Sequence, residues 1–272
     1  EEGDCLCLEF GSRFRPRYML IDGGPAGIYE THLRPQLARI GRRGGRLDLV
    51  VLSHVDNDHV LGLLDLFAEV RQAQEGGPPA PAPVDALWHN TFRQTVGRDA
   101  DVETRLRSMV AQGQSAGVPM AAGGAAVQGI GEGERLRLMA AALGMTPNPG
   151  FTGGIVGLEH AESPIVLHNL SLWVVGPTEP TLEALRREWL EWLDAHEEDI
   201  AQPQVAARAD RSVPNRSSIM FLAEADGRRI LLTGDGLGKH ALAGLEQAGL
   251  CDGEGRVHVD VLKLPHHGSI RN

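Results

Sequence analysis

Residues 53–59 read SHVDNDH, and they stand between two apolar runs, LDLVVL at 47–52 and VLGLLDLF at 60–67. A short apolar run that ends at a polar cluster reads as a buried strand, and the second run continues at helical spacing to Gln74. Two histidines and two aspartates therefore occupy the handover from a strand to a helix that begins at Val60. His54, Asp56, Asp58 and His59 fall at i, i+2, i+4 and i+5 of a tight turn, which lets their side chains converge. Imidazole and carboxylate groups clustered this closely each offer a lone pair, so the turn reads as a metal-binding loop. The plainer alternative is a polar loop with Asp58 capping the helix. Four ligand-type residues among seven weigh against it.

Two other strand ends carry the same chemistry. RRILLTGDG closes an apolar run on Asp235, and VDVLKLPHHGS closes another on His266 and His267. Alone, each is an ordinary turn. Together they share a feature that loops lack, because a rigid sheet edge aims several side chains at one point.

The elements along the chain support that geometry. Strands are expected at DCLCLEF, RYMLID, LDLVVLS and VDALWH in the first half, and at SLWVVG, SSIMFLAEA, RRILLTG and VHVDVLKL in the second. Helices are expected over Tyr29 to Arg43, Val60 to Gln74, Ala100 to Gln114, Glu132 to Leu143, Thr181 to Ile200 and Lys239 to Ala248. The strands around EADG form a hairpin on a glycine turn, so part of the sheet structure is antiparallel. GGPPAPAP (76–83), the Gly/Ala-rich stretch 113–133 and TPNPGFTGG (146–154) read as connections. No repeat or shift in composition divides the chain. The expectation is an α/β fold over 1–272 as a single domain, with insertions at about 76–160 and 177–214 and a chain that looks truncated at both ends.

Composition then limits the partners. With 272 residues, 42% of them hydrophobic, the chain has ample material for a core. The formal charge of -10 disfavours polyanions in general, leaving the arginine groups 13, 15, 17 and 42, 43, 46 as local phosphate contacts. Lys239 and Lys263 are the only lysines, a bias that carries no functional weight at this level. Three cysteines, with Cys5 and Cys7 facing the same way on one strand, make no metal-type pair and point to a reduced, cytoplasmic setting. No run reaches the roughly 18 apolar residues of a membrane span.

Taken in order, LIDGG, SHVDNDH, NRSS, LLTGD and HHGS resemble the metallo-β-lactamase fold superfamily. More specifically, they resemble the branch that includes the hydrolase domain of the competence DNA-uptake protein ComEC and many stand-alone bacterial hydrolases. The resemblance runs from about Asp4 to Ser269. It implies a four-layer αββα sandwich holding one or two divalent metals, zinc or manganese, at the sheet edges. It further implies that His54 and Asp56 face a first metal and Asp58 and His59 a second. Asp235 would bridge them, and one of His266 and His267 would complete the second site. Asp22 would stand behind the ligands and fix their loop. Asp56 replaces the histidine of the commoner pattern, and Asn215 replaces another, which makes the first site harder and friendlier to manganese or magnesium.

The implied reaction is hydrolysis by a hydroxide held between two cations about 3.5–4 Å apart. Asp58 and Asp235 are the catalytic carboxylates in that scheme, with Asp58 orienting the nucleophile. Ser217, Ser218 or Ser269 would meet the leaving group. A phosphodiesterase or nuclease acting on a nucleotide or nucleic acid heads the expectations. Hydrolysis of a lactone, thioester or peptide in a small-molecule substrate is the alternative.

The helix Thr181 to Ile200 raises a reading of another class. Leu182, Leu185, Trp189, Leu193 and His196 recur at helical spacing, with Trp192 in the same turn. That stripe suits core packing, and it also suits a protein partner that gates the hydrolase. A non-catalytic binding module is the third reading, opposed by the full ligand set. His32, His89, His160, His168, His240 and His258 receive no ligand role.

Overall fold

The computed structural model describes residues 3–95, 104, 125–160, 162–195 and 217–268. Strands β1 (Leu6–Ser12) and β2 (Arg15–Ile21) form a hairpin, and a wide helical turn at Tyr29–Leu33 leads into α1 (Arg34–Arg42). Next come β3 (Leu47–Leu52), α2 (Asn57–Gln74), β4 (Leu87–His89), the short α3 (Phe92–Thr95) and α4 (Ala125–Ala142). The second half holds β5 (Ile165–Leu167), β6 (Leu170–Gly176), α5 (Glu179–Ala195), β7 (Met220–Ala225), β8 (Arg228–Leu232), α6 (Gly238–Gln247) and β9 (Val261–Leu262).

Two sheets result, one in the order β1-β2-β3-β4 and the other β5-β6-β7-β8-β9. β2, β3 and β4 run parallel, whereas β5 through β8 are antiparallel and β9 joins β8 in parallel. Every residue of β3 is buried, as its apolar sequence requires of a strand covered on both faces. Val50 and Leu52 point to one side, among Leu37 and Ile40 of α1, Leu63 and Phe67 of α2, and Leu136 of α4. Leu49 and Val51 point to the other, into a core shared with Met19, Trp88, Leu172, Val174 and Phe221 of both sheets. The far side of the second sheet, Val175, Leu222 and Leu231, packs on Ala241 and Leu245 of α6. No helix among the described residues is long and apolar enough to cross a membrane.

The structure departs from the sequence reading in four places. First, α2 starts at Asn57, so Asp58 and His59 stand on its first turn and Asp56, in extended conformation, precedes it. Asp56 makes no capping hydrogen bond through its side chain. Second, α4 starts at Ala125, within a stretch read as a connection, because alanine favours helix and the following turns dock on α2. Third, β5 was not expected; it is a three-residue partner that β6 acquires across a turn at His168 and Asn169. Fourth, VHVDVLKL pairs only at Val261 and Leu262. There the Asp260 carboxylate accepts the Arg229 backbone N–H, taking a donor from a longer ladder.

The hairpin at EADG forms as expected, with Asp226 and Gly227 both at positive φ. The helix expected over Ala100 to Gln114 lies outside the described residues except at Thr104, which is helical, and Asn215 and Ser269 lie outside them too. In α5, Leu182 and Leu185 are buried. The side chains of Trp189, Trp192 and Leu193, and the whole of 196–200, lie outside the described set.

Candidate metal centre

Four strand ends, those of β2, β3, β8 and β9, bring the ligand-type residues together. Just past β2 stands Asp22, whose φ of 59° turns the chain and whose side chain is fully buried. That carboxylate accepts hydrogen bonds from the Ser53 backbone N–H (2.7 Å), the Ser53 hydroxyl (2.7 Å) and His59 Nδ1–H (2.9 Å). His54 Nδ1 meets Ser53 Oγ at 3.0 Å, so with the hydroxyl proton directed at Asp22 the His54 Nδ1–H donates to Ser53. Both rings thus hold an Nδ1–H against these partners and turn Nε2 toward the cluster. The two ring centroids are 4.1 Å apart.

The second sheet supplies Asp235, just past β8. Its backbone N–H donates to Ser218 Oγ at 3.2 Å, which gives Ser218 a positioning role inside the fold. Gly234 makes the approach feasible, since a methyl group there would stand 2.9 Å from the Ser53 side chain. Asp235 Oδ1 lies 3.6 Å from His59 Nε2. Past β9, the turn Pro265–Gly268 holds His266 and His267 at φ of 47° and 54°, both left-handed. Such conformations cost about 1–3 kcal/mol each in a non-glycine residue and concentrate where function requires them.

His267 turns inward. Its Nε2 lies 3.2 Å from Asp235 Oδ2 and 3.6 Å from Asp58 Oδ2. His266 Nε2 reaches Asp235 only at 4.0 Å. Four three-residue groups have ligand atoms within 4.8 Å of one another among the described residues: His54 with His59 and Asp235, Asp58 with His59 and His267, and two that take in Asp4, with Asp22 and His59 or with Asp235 and His267. Asp56 pairs with His54 at 3.6 Å and belongs to none of them.

Burial opposes a charge on His59, but Asp22 and Asp235 outweigh it and hold the imidazole pKa well above its ordinary value. Burial likewise pushes Asp235 up. The close approach of His59 Nε2 and the charges of His54, His59 and Lys263 prevail and hold it well below the usual carboxylate range. The site therefore packs opposite charges together around the buried His59 and Asp235.

These residues fit a cation. The buried atoms His54 Nε2, His59 Nε2 and Asp56 Oδ1 have no hydrogen-bond partner, a cost of about 1–3 kcal/mol each that a bound cation would remove. Mixed imidazole and carboxylate donors suit zinc and manganese. Three further residues in the cluster were not assigned a role from sequence. Ser53 links His54 to Asp22, and Asp4 and Lys263 reach the far side, where Lys263 Nζ lies 3.3 Å from Asp235. Lys263 is one of only two lysines in the chain, which is the one signal that singles it out.

A search among curated proteins found no match. The family model described as "Metallo-beta-lactamase superfamily" matches residues 17–162, more than half of the chain. That span includes Asp22 and the whole SHVDNDH loop. Superfamily members are generally hydrolytic metalloenzymes that bind divalent metals. With two sheets, mixed α/β content and a His/Asp cluster suited to a metal, the chain belongs to the metallo-beta-lactamase superfamily.

Proposed function

We propose that this protein is a metal-dependent phosphodiesterase of the ComEC-like branch, acting on a nucleotide or nucleic acid. The convergence of His54, His59 and Asp235, drawn from both sheets with ligand atoms within 4.8 Å, carries the reading. In it, His54, Asp56 and Asp235 would hold a first cation. Asp58, His59 and His267, again with Asp235, would hold a second. A divalent cation supplies Lewis acidity, lowering the pKa of a coordinated water from 15.7 to about 7.

The chain's own groups do the rest. Asp22 and Ser53 keep the Nε2 atoms of His59 and His54 aimed inward. Asp58, with a side chain 31% exposed, orients the attacking water and holds its proton. Three carboxylates among the six ligands make a hard, oxygen-rich set, which favours phosphoryl oxygens over softer groups. Helices on the outer faces of both sheets support the four-layer sandwich, and we treat residues 1–272 as one hydrolase domain.

The test is elemental analysis of protein purified without chelator, then turnover of bis-p-nitrophenyl phosphate, a lactone and a thioester with Zn2+ or Mn2+ added. About two metals per chain are expected for a paired site, together with phosphodiester cleavage that Asp58→Ala abolishes. Turnover of the lactone or thioester alone would overturn the substrate class. No bound metal and no turnover with either ion would overturn the enzyme.

A further inference from the structure

The second histidine of the centre is held in the same way as the first. His59 gives its Nδ1–H to the buried carboxylate of Asp22. His267 gives its own Nδ1–H to Asp4 Oδ1 at 3.2 Å, since a carboxylate can only accept, and so presents Nε2 to Asp235 and Asp58. The two rings stack with centroids 5.4 Å apart and an interplanar angle of 29°. Each imidazole therefore has a carboxylate behind it and the ligand cluster in front.

Asp4 is itself anchored. It is ion-paired with Lys263, whose ammonium also donates to the Gly234 carbonyl at 2.6 Å and lies 3.3 Å from Asp235. The Lys263 backbone N–H donates to Leu231 O, and its carbonyl accepts the Thr233 hydroxyl, so the lysine is tied to the end of β8. Side chains of Asp4 and Lys263 are each only 12% exposed. Immediately preceding the first sheet, Asp4 is thus tied to the second sheet at the histidine turn. His266 shares none of this: among the described residues no carboxylate stands behind its ring, and its side chain is 38% exposed against 20% for His267.

We propose that Asp4 is a positioning residue that orients His267, rather than His266, as the metal ligand of this turn. The inference rests on the metal-centre reading above. A carboxylate behind a ligating imidazole fixes the ring's tautomer and orientation and raises its basicity, and losing one typically costs about 10–100-fold in metal affinity. Removing the Asp4 carboxylate frees a ring held in a left-handed turn, so His267 loses its aim without losing its lone pair.

The experiment measures Zn2+ affinity by competition with a chromophoric chelator, and apo-protein melting in EDTA, for the wild type and five variants. Asp4→Ala and His267→Ala are each expected to weaken binding about 10–100-fold. The double variant should be no weaker than His267→Ala alone, because Asp4 acts through that ring. His266→Ala should bind like the wild type. Asp4→Asn keeps an oxygen that accepts the Nδ1–H but loses the charge, so it should bind more weakly than the wild type and more tightly than His267→Ala. This isosteric change carries the test should Asp4→Ala fail to fold.

Wild-type affinity in both Asp4 variants would overturn the inference. So would losses that multiply in the double variant, which would make Asp4 a ligand, or a loss confined to His266→Ala. A wild type that binds no Zn2+ would instead overturn the metal-centre reading, so the two failures are distinguishable.

Discussion

Gly62 on α2 lies so close to Gly23 that a methyl group added to it would stand 2.0 Å from the Gly23 carbonyl oxygen. The approach is reciprocal, because a side chain on Gly23 would meet the Leu63 amide nitrogen at 2.3 Å. Two backbone bonds lock it: Gly23 N–H donates to His59 O at 2.7 Å, and Gly62 N–H to Gly24 O at 3.3 Å. This contact sets the height of the first turn of α2 above the Asp22 loop, and so holds His59 within reach of Asp22.

Gly62→Ala is expected to push α2 outward. Overpacking typically costs about 1–3 kcal/mol, and the upper part of that range applies where the obstacle is backbone. Chemical denaturation of the apo protein measures the loss. Metal affinity should fall with it, since His59 moves away from its carboxylate. An alanine variant with unchanged stability would mean that the two segments separate freely.

Asp22→Ala removes the acceptor shared by Ser53 N–H, Ser53 Oγ–H and His59 Nδ1–H. Leaving a buried donor unpaired costs about 1–3 kcal/mol, so stability falls even with no metal present. Zn2+ affinity should fall a further 10–100-fold or so, because His59 loses its orienting partner. Calorimetric titration beside a melting curve separates the two effects.

Chelation should destabilise the metal-loaded protein. A ligand present at about 100 times its Kd stabilises the native state by about 2.7 kcal/mol, and EDTA removes that contribution. Because Asp22 and Asp235 hold His59 protonated well above its ordinary pKa, an incoming cation must displace a proton. Zn2+ binding should therefore tighten as pH rises, with proton release visible in buffers of different ionisation enthalpy. Affinity flat with pH would show that His59 does not ligate.

His89 should make the apo protein acid-sensitive in a separable way. The ring is 4% exposed and donates Nε2–H to the Gly133 carbonyl at 3.0 Å, leaving Nδ1 buried without a partner. Burial pushes its pKa down to about 4, against about 6.5 in an unfolded chain. The folded state resists this proton, so the contribution is complete above about pH 6.5 and is lost as pH falls toward 4. By linkage the loss is about 3 kcal/mol. His59 has the opposite sign: its raised pKa stabilises below about 6.5 and fades as pH rises. Urea unfolding in EDTA at pH 7 and pH 5, for wild type and His89→Gln, isolates the His89 share. The variant should lose less stability on acidification.

Local physics alone made several elements legible. LDLVVL could only be a strand buried on both faces, and EADG could only be a tight turn, because periodicity and positive-φ residues act within a few positions. The candidate ligand groups at SHVDNDH, LLTGD and HHGS were visible for the same reason, since imidazoles and carboxylates clustered at strand ends announce themselves without a fold.

Tertiary structure decided which groups meet. Asp4 and Lys263 look unremarkable in their own surroundings and become neighbours only when the start of one sheet is drawn to the end of the other. Between adjacent histidines, His267 rather than His266 faces the cluster because of left-handed backbone torsions that no local pattern dictates. Likewise α2 begins at Asn57, three residues before its apolar stripe, because the Asp22–Gly24 loop packs against that first turn. Residue types and periodicity are properties of the chain, whereas tautomers, ring directions and partner choice depend on contacts between segments far apart in sequence.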